Sequence, residues 1–187
     1  EILRCLVGSE MCIRDRDYQI ADDSLLYARG EIEKSSGNTD KAEEAFRDCI
    51  SKSENEELIM RSYVMLSELA KDSGNLSKER NVLQEAKEVL PVSRQMVILE
   101  RLIQVDIDLA DAGKTSYRNE AIELLQEVID QAEEHGMMIS LETHNPKNVA
   151  FYEHLGFKTF GVVEKAPFHL KQYCMIRELG SEKPNSL

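Results

Sequence analysis

Two Gly-Asn dipeptides, at positions 37–38 and 74–75, punctuate a long stretch that is almost free of proline and carries apolar residues at helical spacing. They stand 37 residues apart, a step in the range that signals stacked helical hairpins rather than one continuous helix. Gly with Asn supplies the tight turn between paired helices. Each helix of such a hairpin buries one stripe and needs a neighbour to cover it. The spacing therefore predicts a mainly α array of antiparallel helical hairpins over residues 17–135, with about six helices.

Composition narrows the partners. The 187 residues are 42% hydrophobic, enough for a core, and 35 acidic against 23 basic residues leave a net charge of −12. Such a charge repels phosphate backbones and anionic lipid, and no basic patch offsets it, so neither nucleic acid nor membrane is an expected partner. Cys5, Cys12, Cys49 and Cys174 form no C-x-x-C pair, which argues against a structural zinc and a disulfide framework and for a reducing compartment. His135, His144, His154 and His169 form no compact ligand set, so no metal site is expected. No apolar run approaches the roughly 20 residues of a membrane helix, and a cytoplasmic location follows as the expectation.

Within the array, Gly30 lies seven residues before Gly37, and Ala42 and Phe46 follow at spacings suited to close helix packing and a large apolar knob. Tyr63, Leu66, Leu83, Ala86 and Pro91 take the corresponding places one step later. A weaker third unit runs through Val97–Leu109, a turn at Gly113, and Ala121, Leu125 and Val128. This pattern resembles tetratricopeptide repeats, departing from it at Ser67 and Glu79, where the family prefers Gly and Ala. The resemblance implies a protein-interaction scaffold that takes a protein or peptide ligand in a groove lined by the first helix of each pair. By repeat position the groove side chains are Tyr27, Glu31 and Lys34, then Arg61, Val64, Glu68 and Lys71. They do not match the Lys and Asn set with which one subfamily clamps C-terminal carboxylates. Glu31 and Glu68 suggest a basic or neutral segment rather than an acidic one.

From Met137 the texture changes. MMISLE reads as a short strand, Asn145-Pro146 as a helix start with Pro at the first helical position, and Gly156 as that helix's end. GFKTFGVVEK and HLKQYCMIREL read as two strands joined near Pro167. The run N-P-x-N-x-x-x-Y-x-x-x-G-F in this strand-to-helix setting resembles the closing segment of the GNAT N-acetyltransferase superfamily, over about residues 119–179. The resemblance implies an acetyl-CoA cofactor held near Asn145 and Asn148, with Tyr152 as the acid that protonates the departing thiolate. A phenol with a pKa of about 10 can donate to a thiolate whose thiol has a pKa of roughly 8.5. Each residue also has a plainer reading: Asn145 as a helix cap, Tyr152 with Phe151 as core aromatics.

The family's glycine-lined phosphate loop and first strands have no counterpart upstream; the lead-in to the preceding helix is GKTSYRNEAI. The expectation is thus an incomplete acetyltransferase segment at 137–179, not catalytically competent alone, with the helix at 119–134 belonging to either part. The alternative is a working acetyl-CoA-dependent N-acetyltransferase with a helical-repeat N-terminal region. The strand near Ile139 exposes an edge, which allows self-association. Residues 1–16 include CLVGSEMCIRDR, which resembles a translated sequencing adapter, and are set apart from the fold; with it, a chimeric origin becomes the expectation over a natural fusion. Residues 180–187 read as a polar tail.

Overall fold

The computed structural model describes residues 23–165 and 170–181. The adapter-like segment, the turn around Pro167 and most of the tail lie outside them. Helical residues 23–35 form α1, followed by α2 (Thr39–Lys52), α3 (Glu56–Asp72), α4 (Leu76–Val89), α5 (Val92–Asp111) and α6 (Tyr117–Glu134). Then come β1 (Ile139–Thr143), α7 (Pro146–His154), β2 (Lys158–Lys165) and β3 (Leu170–Arg177). Among the described residues the chain is mainly helical with one small antiparallel sheet, as the helical spacing and the strand-like runs after Met137 predict. Two compact units divide between Leu124 and Leu125, inside α6 rather than after it. By sequence the repeats end at residue 135 and the helix at 119–134 is open to either part; the division falls within that helix.

In the first unit the turns explain the punctuation. Gly37 and Gly74 adopt φ of 79° and 71°, left-handed conformations that a side chain would strain. There the amides of Asn38 and Asn75 reach back to Glu33 O and Ala70 O at 2.9 and 3.0 Å, closing Schellman-type ends. Asn75 then caps α4 by accepting from Lys78 N, while Asn55 caps α3 by accepting from Glu57 N and Leu58 N. Pro91 stands in extended conformation between α4 and α5, ending one helix and beginning the next.

Packing follows the repeat positions. A Cβ on Gly30 would meet the Phe46 ring at 2.5 Å, so α1 and α2 approach as closely as only glycine permits. Phe46, Tyr63, Leu66, Leu83, Ala86, Ile98 and Leu102 are buried in one continuous core. At the position equivalent to Gly30 the second repeat has Ser67 and the third Asp106, and neither side chain is exposed. Ser67 donates its hydroxyl to Val64 O. Asp106 accepts from Arg80 Nε at 2.6 Å, and Arg80 also pairs with Glu120 and lies 4.7 Å from the centre of the Tyr117 ring. An ion cluster with a buried carboxylate, Asp106, and a half-exposed one, Glu120, thus stands in place of small-residue packing between α4, α5 and the start of α6.

The second unit holds the end of α6, where Leu125, Val128, Ile129 and Ala132 are buried, and the strand-helix-strand-strand run. Its sheet has the order β1-β3-β2, both pairings antiparallel, with β3 central. Among the described residues β1 and β2 are therefore edges, and β2 carries a register shift between Thr159 and Gly161. Arg177 on β3 is buried and donates to Leu155 O at 3.0 Å and Glu133 at 2.7 Å, tying the sheet to the end of α7 and to α6. Met175, Phe157, Phe151 and Tyr152 make the rest of this small core.

Candidate peptide-binding face and cofactor residues

Helix α3 shows how the candidate face arises. Arg61, Val64, Glu68 and Lys71 follow one another at steps of three, four and three, which stack on a single side of a helix. None of the four is buried, whereas Ser62, Tyr63, Leu66, Ser67, Leu69 and Ala70 are. The stripe is open while the rest of the helix is packed. The sequence-derived residues of α1 continue it in part: Glu31 is exposed and Lys34 half-buried.

Charged pairs tie these stripes together across alternate helices. Lys34 Nζ on α1 donates to Glu68 Oε2 at 2.7 Å, and Arg101 on α5 donates to Glu68 Oε1 at 3.1 Å. One carboxylate thus bridges two cations from two other helices. Burial alone would raise the Glu68 carboxyl, but the hydrogen bonds and charges of Lys34 and then Arg101 outweigh it and hold it below the usual carboxylate range. Nearer the start of α3, Arg94 donates to Glu57 at 2.7 Å.

Tyr27 takes a different place from the one its repeat position suggests. It is 6% exposed, its ring centre 5.6 Å from that of Phe46, with the Arg61 guanidinium 4.8 Å away over its face. Burial, and to a lesser degree Glu31, raises its phenol while Arg61 opposes the shift. Tyr27 is a floor for the face rather than part of its open surface.

The pattern in the first two repeats left out the third helix of the face. Arg94, Val97, Arg101, Gln104 and Asp108 recur on α5 at the same three-four spacing, none of them buried. Gln104 donates to Asp108 at 2.8 Å. That spacing was available in the sequence; what hid it was the length of α5, 20 residues against 17 for α3, so that a fixed 37-residue step does not carry the stripe over.

Beside this face sits Glu79, at the start of α4, where the first repeat has Ala42. Glu79 is 5% exposed and its Oε2 has no hydrogen-bond partner among the described residues. Burial pushes its carboxyl up; Lys71 and Arg101 oppose this and Asp108 adds to it.

In the second unit Asn145 caps α7 through its side chain, accepting from Lys147 N at 3.1 Å. Asn148 is 2% exposed and its Oδ1 has no partner among the described residues. Tyr152 is buried between Phe151 and Phe157, ring centres 5.1 and 5.9 Å away. Asn145 thus caps the short helix that carries Asn148 and Tyr152, and those two side chains are buried. No group of three or more His, Cys, Asp or Glu suited to a metal occurs among the described residues, and no described helix is long and apolar enough to cross a membrane.

A family model described as tetratricopeptide repeat matches residues 23–55, which are α1, α2 and the turn into α3. No curated protein and no solved structure matches the chain. The matched segment holds Gly30, Ala42 and Phe46, the residues of closest helix approach, so one repeat of this chain is similar to that family by sequence as well as by shape.

Proposed function

We propose that residues 23–124 serve as a protein-interaction scaffold whose ligand is a peptide segment lying across the open faces of α1, α3 and α5. The observation that carries this reading is the open stripe Arg61, Val64, Glu68 and Lys71 on a helix otherwise packed into the core, joined to its neighbours through Lys34 and Arg101. A face with ordered polar groups and the side chains of Val64 and Val97 between them suits an extended partner, which gains both hydrogen bonds and apolar contact. The test is a random-peptide selection on the full chain, followed by Val64→Glu and Val97→Glu. Binders that lose about tenfold or more in affinity with either change support the scaffold; a selection whose binders ignore both changes overturns it.

A second reading concerns the C-terminal unit alone: an incomplete N-acetyltransferase segment, or in its stronger form an acetyl-CoA-dependent enzyme. The strand-helix-strand-strand order and the unpartnered Oδ1 of Asn148 favour it. Asn148 would hold the cofactor and Tyr152 would supply the proton to the thiolate. As the residues stand they do not fit that cofactor: Asn145 is engaged as a cap, Tyr152 is enclosed by two aromatic rings, and the described sheet has three strands. Calorimetry with coenzyme A decides between the forms. Binding that Asn148→Ala abolishes supports the enzyme; no heat with the full chain supports the incomplete segment. Self-association through the β1 edge belongs to the same reading, since an unpaired edge is open to strand addition.

A further inference from the structure

We infer that the C-terminal unit pairs with a second copy of this chain, β1 against β1, antiparallel about a two-fold axis at Leu141; this rests on the reading of that unit as an incomplete segment whose β1 edge is open. Among the described residues the sheet has two edges, and they are not alike. On β2 Phe160 has no residue opposite it in β3, because the register slips between Thr159 and Gly161, and Lys158 stands exposed at the start of the strand. A bulge and an edge lysine both discourage the addition of another strand. β1 has neither: the five residues from Ile139 to Thr143 hold an unbroken register with β3, and none is Lys, Pro or Gly. One edge is guarded and the other is not.

The sequence of β1 is complementary to itself in one register. Ile139, Leu141 and Thr143 share a face with the buried Met175 and Arg177 of β3, while Ser140 and Glu142 lie exposed on the other, where Glu142 accepts from Gln172. With Leu141 opposite the Leu141 of the second copy, all five residues overlap, Ile139 meets Thr143 and Ser140 meets Glu142. A slip of one residue would set the apolar face of one copy beside the polar face of the other. A slip of two shortens the overlap, and in one direction it stacks Glu142 on itself, which like charges oppose.

Exposure along this edge fits an added strand. Ile139 and Leu141 are only half-buried although they share the face of Met175, and Met137 and Met138, just before the strand, are 53% and 62% exposed. The same register, carried one residue further, brings Met138 against the His144 of the second copy. Symmetry favours this pairing over a mixed one. Two β1 edges joined about a two-fold close on each other and leave only the guarded β2 edges outside, whereas β1 against β2 would be open-ended and would meet the bulge.

The test is sedimentation equilibrium of the full chain from about 1 μM to about 1 mM, the span in which a small interface associates. The expected result is a monomer–dimer equilibrium that responds to charge at position 140, where the side chain is exposed and substitution spares the core. Ser140→Lys sets a cation opposite Glu142 twice in each dimer and should tighten it roughly threefold to tenfold. Ser140→Glu should weaken it by a similar factor, and adding Glu142→Lys to Ser140→Glu should restore it. Circular dichroism checks that each variant is folded. A monomer throughout the range, a dimer indifferent to these changes, or oligomers that keep growing with concentration overturn the pairing. A monomer that gives no heat with coenzyme A loses the pairing and keeps the incomplete segment; a monomer that binds coenzyme A through Asn148 loses both.

Discussion

The repeat unit and the C-terminal unit solve the same problem with different reserves. In the repeats α3 packs against α2, α4 and α5, and the core runs without a break from Phe46 through Tyr63 and Leu83 to Leu102. In the C-terminal unit a three-stranded sheet is covered much less. Phe160, Val162 and Val163 on β2 are 67%, 53% and 54% exposed, and since Val162 and Val163 point to opposite faces, neither face of that strand is closed. A repeat can add its neighbour's surface to its own, whereas a small sheet with two open edges depends on a few anchors. Here the anchor is Arg177.

That contrast can be broken at its strongest points. The largest effect is expected from Phe46→Ala, which removes a fully buried ring that fills the space above Gly30 and should cost about 3–5 kcal/mol. Residue-resolved hydrogen exchange should show the loss as faster exchange through α1–α4. Gly30→Ala attacks the same contact from the other side and should cost about 1–3 kcal/mol by overpacking; a neutral result would mean that α1 shifts freely, against the account of its close approach.

Next comes Arg177→Ala, which leaves Leu155 O and Glu133 without their donor in the smaller core. We expect a cost of about 2–3 kcal/mol, seen as faster exchange in α7 and β3. If Arg177→Ala is silent, the sheet is held by its apolar side chains alone and the anchor idea fails.

A smaller effect of opposite sign is expected at Glu79. Its pKa is raised by burial, so the stability it contributes is fully present below the unfolded value and is lost as pH rises through the folded one. Glu79→Gln should therefore stabilise the repeats by about 1 kcal/mol at pH 7 and lose that advantage in acid, as thermal melts at the two pH values would show. Glu68 runs the other way. Its pKa is depressed by Lys34 and Arg101, so its contribution is present above the unfolded value and disappears as pH falls through the folded one. Tyr63 completes the set. Burial and the Glu85 carboxylate push its phenol to about 12, so the hydrogen bond it donates to Glu85 should hold to high pH; the stability tied to it should fade only as pH climbs past 10 toward 12. Ultraviolet titration of the phenols, with Tyr63→Phe as reference, would read this directly.

Much of the fold was legible because its signals are local. Gly37, Gly74 and Gly113 mark helix ends through backbone conformation, and the strand-helix-strand-strand order follows from Asn145-Pro146 and Gly156. The open stripe of α3 could likewise be read from spacing. What could not be read were contacts between residues far apart in sequence. Repeat position names the side of a helix on which Tyr27 lies but not how deep its ring sinks, which Phe46 and Arg61 decide. The second cation on Glu68 comes from Arg101, 33 residues on. Ser67 and Glu79 were visible as departures from the family pattern, yet the buried carboxylates of Glu79 and Asp106 emerge only once α4 and α5 are packed. The sheet order with β3 in the centre was equally hidden, since strand sequence alone does not say which neighbour is shared.

The central claim is that a ligand lies along α3 and α5 on the side of Val64 and Val97. Hydrogen exchange of the full chain with and without a selected peptide tests it most directly. The account predicts slowed exchange within residues 61–71 and 94–108 and little change along β1, β2 and β3. Protection confined to the strands, or to α4 with α3 unchanged, would contradict it.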